Sequence, residues 1–433
     1  MNTIYILSEY FAPFQNVGSV KFTKIAKYLS ENQSNEVIVF SRKNNPLNDV
    51  LLDQDLSVMK KNGARIYYVY EGRKYTRPPS SGFAAKLHRW YVSRIAGAER
   101  YYYESNQRAS RRFVSSGLTI IKKENLPPPD LILSTYDDWG SHYLAREIKA
   151  RHPEAVWIAD FRDPVGAHIK AGKYRALCDE YSLMVSRTAD FVTAVSQGIF
   201  DSLKLDAGTR TSVVTNGFDY SDYEYVKSNI PSGNPGGRKL RFAYTGSFYG
   251  HSLMPFLNAI KELIEEGCIS TENLEVAYAG GYNQRVFGEV TRAGLQAVYT
   301  NKGELSRFSA VRLQHESDVL LTAVWNYKDY KGVIGGKFLS YLMLRKPIIG
   351  VVMGDTPGSE LKRIMQALNC GYCYEEANHD ADYKMLKEAI FNLYRSKMST
   401  GSVRMEYNER EVENFNLKNI ASRYEEIFKS LRA

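Results

Sequence analysis

At 433 residues with a net charge of +9, 44% hydrophobic and 24% charged, the chain is too long for one core and reads as two globular domains of roughly 200 residues each. No apolar run approaches the roughly 18 residues of a membrane-spanning helix. The opening MNTIYILSEYFAPF lacks a basic lead and reads as a first strand rather than a signal peptide, so a cytoplasmic chain is expected.

The charge is local. Between Arg73 and Lys123 there are twelve Lys and Arg against Glu99 and Glu104, a surplus of ten, so the remainder is balanced to within one charge. The four cysteines fit a reducing compartment. Cys370 and Cys373 form a lone C-x-x-C within CGYC, and with no second pair to complete a zinc site they read as two small half-buried residues of a strand.

Taken in order, TIYIL (3–7) is a buried strand, followed by a loop carrying Gly18 and Ser19 and then a helix from about residue 20 to 31. EVIVF (36–40) and residues 64–69 are the next strands. Strand, glycine-bearing loop, helix, strand is the opening of a doubly wound α/β domain. There is no G-x-G-x-x-G, so a dinucleotide cofactor is not supported. The basic segment that follows interleaves Trp90, Tyr91 and Tyr101 to Tyr103 with Arg89, Arg94, Arg100, Arg108, Arg111 and Arg112. That pattern suits an anionic membrane surface, an anionic acceptor or single-stranded nucleic acid, and equally a solvated helix with its aromatics facing the core.

LILST (131–135) is a fourth strand, and a strand from residue 156 runs into ADFRDP. Asp160, Arg162 and Asp163 there fall at the carboxyl end of a parallel strand, the edge where ligands gather in open α/β sheets. DFVTAVS and SVVTNGFD close the domain, and KSNIPSGNPGGRK (227–239) reads as a linker. The pattern then restarts with LRFAYT (240–245), a glycine loop at 246–250, a helix and further strands. KGVIGGKFLSYLMLRKPIIG (331–350) combines Gly332, Gly335 and Gly336 with a helix whose first turn holds Lys337. Unpaired backbone N–H groups at a helix start, with a lysine beside them, are suited to phosphate.

In this order and spacing the segments resemble the retaining family-4 glycosyltransferases of the GT-B fold. The resemblance rests on the YFAPF loop with Gly18-Ser19, on DFVTAVS and SVVTNGFD, on AYTGSFYG and on GGKFLSYLMLRKPIIG, and it covers nearly the whole chain. It implies an α/β protein with two Rossmann-like domains facing across a cleft: residues 1–226 on the acceptor side and 240–414 binding a nucleotide sugar. A helix within 415–433 is expected to cross back onto the first domain. Gly246, Ser247 and Tyr249 are then expected beside the diphosphate, Gly335, Gly336 and Lys337 beside the donor sugar and phosphates, and Tyr341 near the nucleoside. No metal or cofactor is expected, because helix N-termini and basic side chains would neutralise the leaving diphosphate.

Two departures bear on the site. Aligned on Pro347, Gly332 and Ser340 stand where the family carries a pair of glutamates, and Ser340 keeps only a hydroxyl. Arg162-Asp163 replaces the family's His-Asp, so Asp163 is carried over as acceptor-side acid or base and Arg162 as an orienting or anion-binding group. His142 is expected to help orient the incoming hydroxyl, with Gly18, Ser19 and Asp160 completing the acceptor side. The implied activity is transfer of a hexose, with retention, to a glycan or lipid-linked acceptor in surface polysaccharide or capsule assembly. Residues 73–123 would touch the inner face of the membrane, and nucleic acid is not an expected partner. A nucleotide-sugar-binding assembly subunit that has lost catalysis, and an epimerase of the same fold, are the alternatives.

Overall fold

The computed structural model describes residues 1–14, 17–43, 49–69, 98–167, 169, 172–229, 237–248 and 251–433. The first domain opens with β1 (Asn2–Leu7), α1 (Val17–Glu31), β2 (Asn35–Arg42), α2 (Val50–Lys61) and β3 (Arg65–Val69). It continues through α3 (Ala98–Lys123), β4 (Leu131–Tyr136), α4 (Gly140–Arg151), β5 (Val156–Phe161) and α5 (Gly172–Thr188). β6 (Phe191–Ala194), α6 (Gln197–Ser202), β7 (Thr211–Val213) and α7 (Tyr220–Ser228) follow. The seven strands form one sheet in the order β3-β2-β1-β4-β5-β6-β7, every pairing parallel. Helices cover both faces of such a sheet, which is why β4 and β5 are buried at every residue and open on apolar runs that do not alternate.

The second domain comprises β8 (Leu240–Thr245), α8 (Met254–Glu265), β9 (Leu274–Ala279), α9 (Asn283–Ala293), β10 (Tyr299–Asn301), α10 (Arg307–Glu316) and β11 (Val319–Trp325). Then come α11 (Gly336–Leu342), β12 (Ile348–Met353), α12 (Glu360–Leu368), β13 (Gly371–Glu375), α13 (His379–Thr400), α14 (Glu409–Val412) and α15 (Leu417–Arg432). Its six-stranded sheet runs β10-β9-β8-β11-β12-β13, again all parallel. In both sheets the order reverses beside the first strand of the domain, and a crevice opens there at the carboxyl ends of the strands.

The expected return of the last helix is found. Leu417, Ile420, Ala421, Tyr424 and Phe428 recur at helical spacing and are buried in one cluster with Ile4, Ile6 and Phe22 of the first domain. The returning chain is stitched in place where Leu417 N–H donates to Phe218 O at 2.9 Å and Phe218 N–H to Phe415 O at 2.9 Å. Nearby, one apolar cluster spans both domains, joining Leu51, Phe218 and Val226 to Val311, Leu313 and Leu342.

Alongside it lies a buried set of charges. Lys24 pairs with Asp55 at 2.8 Å and Asp219 at 3.0 Å, Lys27 pairs with Asp219 at 2.8 Å, and Arg307 of the second domain reaches Asp222. Burial alone would raise the Asp219 carboxyl, but Lys24 and Lys27 outweigh it and hold it below its ordinary value. Each ion there is tolerable only because its partners are buried with it.

Candidate active site at the facing sheet edges

The first-domain edge is built where β1, β4 and β5 end. Arg162, one residue past β5, has a side chain only 11% exposed, and its Nη2 pairs with Asp137 Oδ1 at 2.5 Å. Its Nη1 donates to Gly18 O at 2.5 Å. A side chain at Gly18 would run into that guanidinium, so the glycine lets the start of α1 close on it. Asp137 also accepts from Ser8 Oγ at 2.9 Å and Tyr10 N–H at 3.0 Å. Burial pushes its carboxyl up, and the Arg162 guanidinium works against that rise. Arg162 is therefore a clamp on the first turn of α1, with its charge already matched by Asp137. Ser19 is buried in the first turn of α1, and its hydroxyl has no partner among the described residues.

Asp163, next in sequence, is the exposed member: its side chain is 64% accessible. It faces the second domain, where burial and then the Asp163 charge raise the Tyr330 phenol. Asp160 lies in the core instead, accepting from Lys21 Nζ at 3.0 Å, Thr193 Oγ1 at 2.7 Å and Tyr424 OH at 2.8 Å. It is the last residue but one of β5, and its carboxylate joins α1, β6 and α15 rather than meeting an acceptor. His142 is likewise placed away from the cleft. It is fully buried in the first turn of α4, its Nδ1 2.8 Å from Ser134 Oγ and its ring 4.8 Å from that of Phe161. Burial drives its imidazole down to about 3, so it is neutral and enclosed, and it does not orient an acceptor hydroxyl.

Three residues at this edge that the sequence reading did not single out are Glu9, Arg42 and Asp138. Glu9, fully buried, accepts from Gly140 N–H at 2.8 Å and pairs with Arg42, whose Nη2 stands 3.4 Å from Asp138 Oδ2. The adjacent carboxylates of YDDWGSH were the visible signal for Asp137 and Asp138.

The second-domain edge is different in kind. At the end of β8, Gly246 has φ +114°, a conformation that favours glycine, and Lys337 Cε would lie 3.1 Å from any Cβ there. Lys337 Nζ donates to Tyr244 OH at 2.7 Å and sits 4.4 Å from that ring's centre. Burial lowers its ammonium from 10.5 to about 8. Gly335, at φ +80°, is the N-cap of α11, and Gly336 is its first residue. Gly280 abuts the Gly246 carbonyl at the end of β9, and a Cβ on Gly281 would lie 3.7 Å from Ser247 Oγ and 3.2 Å from Glu304 Oε1. The loops after β8, β9 and β10 thus meet in one glycine-lined floor beside Lys337.

His251 and Trp325 flank this floor, stacked at 4.9 Å with 22° between the rings. Burial, then Lys337 and Arg285, push the His251 imidazole down to about 3. Ser340 Oγ donates to Lys337 O at 2.7 Å, tightening its own helix. Tyr341, expected near a nucleoside, is instead fully buried under the sheet. Its OH accepts from Thr245 N–H at 3.2 Å and donates to Leu321 O at 3.1 Å, bracing β8 against β11. The α11 stripe that points into the core falls at Phe338, Tyr341 and Leu342, which takes Tyr341 away from the cleft. Tyr249 lies outside the described residues.

The outward face of α3 carries Arg100, Arg108, Arg111, Arg112, Lys122 and Lys123, all exposed. Two of its aromatics turn inward: Phe113 is fully buried, and Tyr103 meets Trp139 edge-on at 5.4 Å. Tyr103 and Phe113 thus do not share a surface with the exposed basic residues of α3. Residues 73–97 of the basic segment, including Arg89, Trp90, Tyr91 and Arg94, lie outside the described residues.

No protein-family model and no curated protein matches the chain. Solved structures do match over its whole length. HepE of Anabaena in complex with UDP aligns at 11% identity over 99% of this chain and 100% of its own, TM-score 0.59. Sucrose-phosphate synthase from Thermosynechococcus elongatus aligns at 13% identity over 100% and 99%, TM-score 0.58. A UDP-N-acetylglucosamine 2-epimerase aligns at 12% identity over 98% and 94%, TM-score 0.51. The likeness is one of architecture, and this chain has the GT-B fold.

Proposed function

We propose that this chain is a glycosyltransferase that moves a sugar from a nucleoside diphosphate donor to a glycan or lipid-linked acceptor. The observation that carries the proposal is Lys337, a half-buried lysine whose described partner is a neutral phenol, placed against Gly246 on a glycine-lined floor. A diphosphate is the ligand chemistry that such a site lacks. Gly246, Ser247, Gly335 and Gly336 would line it, and Lys337 would take up the charge that grows on the leaving oxygen. Metal-independent transfer is expected on this reading, with unchanged turnover in chelator.

In the reaction the bond from the anomeric carbon to the diphosphate oxygen breaks as the acceptor oxygen bonds to that carbon. The acceptor proton passes to the departing diphosphate or to Asp163, the accessible carboxylate of the opposite edge. With no carboxylate at Gly332 or Ser340, transfer with retention would run by attack on the face that the diphosphate leaves, with no glycosyl-enzyme intermediate at these positions. The HepE complex makes UDP the first donor nucleotide to test. UDP released from a UDP-sugar only when a glycan or lipid-linked acceptor is added would support transfer. UDP binding without release would favour a non-catalytic assembly subunit, the reading that the missing glutamates recommend. Interconversion of UDP-sugars without acceptor would favour the epimerase.

The basic face of α3 supports an acceptor held at an anionic membrane surface, as in surface polysaccharide assembly on the inner leaflet. With Tyr103 and Phe113 turned inward, that contact would be largely electrostatic and at headgroup level.

A further inference from the structure

The two domains touch at a point that neither phosphate nor acceptor contacts explain. Glu360, the first residue of α12, spans the boundary with both carboxylate oxygens. Oε1 accepts from Gly198 N–H at 2.6 Å and Oε2 from Gln197 N–H at 3.1 Å. Those two N–H groups open α6 of the first domain, whose N-cap is Ser196. Beside them the backbones of Gly198 and Gly332 lie in direct contact. A Cβ on Gly198 would lie 2.5 Å from Gly332 N, and one on Gly332 would lie 2.6 Å from Ser196 Oγ and 2.7 Å from Gly198 Cα. Gly332 also has φ +77°. A side chain at either position would wedge the domains apart, which accounts for the glycine at 332 where the resemblance led to a glutamate.

Gly332 stands three residues before Gly335 and five before Lys337, within the segment that carries the donor loop. Whatever fixes Gly332 against the first domain therefore fixes how far Lys337 lies from the acceptor edge. We propose that Glu360 is a positioning residue for transfer: it clamps the Ser196–Gly198 turn onto the donor loop, so that Asp163 and Lys337 meet across the cleft in one register. The clamp rests on the transferase reading for what it positions, while the domain contact itself stands apart from that reading. A carboxylate suits the task because its two oxygens answer two adjacent N–H groups, and the pairing breaks without leaving a buried charge when the cleft must open.

The test uses the full chain with Glu360→Gln, Glu360→Asp and Gly198→Ala, the last acting by clash and leaving the carboxylate intact. Exposed Cys268 and a cysteine replacing exposed Arg151 carry spin labels that report the interdomain distance without ligand. The expected result is a longer, broader distribution in Glu360→Gln and Gly198→Ala and partial recovery in Glu360→Asp. Their kcat should fall about tenfold with little change in KM for the UDP-sugar, as misplacement of prearranged groups demands. Wild-type distances and kcat in both Glu360→Gln and Gly198→Ala would overturn the clamp. If the wild type turns over no UDP-sugar while the distances still lengthen, the transferase reading fails and the domain clamp survives.

Discussion

The two sheet edges that face each other solve their electrostatics in opposite ways. On the first-domain edge nearly every charge is already answered from within the protein: Arg162 by Asp137, Asp160 by Lys21, Glu9 by Arg42. On the second-domain edge Lys337 is half-buried against a neutral phenol and packs on Gly246. The first edge is a finished scaffold that exposes one carboxylate, Asp163. The second, on the proposed reading, is completed by the diphosphate of the donor. A binding site is recognised here by what remains unpaired after the fold has satisfied itself, rather than by the density of charged residues.

That contrast is sharpest in single substitutions. Lys337→Ala should cost turnover about a hundredfold or more, the scale on which removing one transition-state charge partner is felt, measured as acceptor-dependent UDP release. Unchanged release would remove Lys337 from the chemistry. Asp160 and Asp163, three residues apart, should behave as opposites. Asp160→Asn breaks a buried pair and should lower stability by about 3–5 kcal/mol while leaving UDP affinity unaltered, read by denaturant unfolding and calorimetry. Asp163→Asn should leave unfolding unchanged and lower kcat about tenfold or more. Equal effects of the two would dissolve the distinction between scaffold and site.

A pH series probes the same contrast with a smaller signal. The free Lys337 ammonium is lowered to about 8, and only its protonated form attracts diphosphate. UDP affinity should therefore be flat between about pH 7 and 8, where the terminal phosphate of UDP is already ionised, and fall by up to about tenfold per unit above it. The slope should vanish in Lys337→Ala, and its persistence there would assign the titration to another group. The smallest effect is expected on α3, where Arg111→Ala should weaken binding to vesicles containing anionic lipid by about 1 kcal/mol. The loss should disappear at high salt, and binding equally tight to neutral vesicles would refute an electrostatic contact.

Much of this architecture was legible in the sequence because parallel strands buried on both faces leave continuous apolar runs, and TIYIL, LILST and DVLLTA are such runs. The glycine loops at 246 and 335–336 were legible for a related reason, since a positive φ limits what can stand there. The sequence does not reveal which side of a strand end or helix turns to the cleft. That is why Asp160, His142 and Tyr341 were expected at the site and lie in the core. Glu360 was invisible for another reason: its partners are backbone N–H groups more than 160 residues away, and backbone leaves no mark on composition.

The return of α15 onto the first domain has a consequence for biosynthesis. Tyr424 supplies one of the hydrogen bonds on Asp160, and Leu417, Ile420 and Phe428 close the cluster over β1 and α1. A nascent chain that has passed the first sheet and the whole second domain still has an open apolar seam on its first two hundred residues. The second domain has no such debt and can fold while the ribosome is still translating. The first domain closes its core only after residues 417–432 emerge, so a prematurely terminated product would present that domain to chaperones and proteases as unfinished.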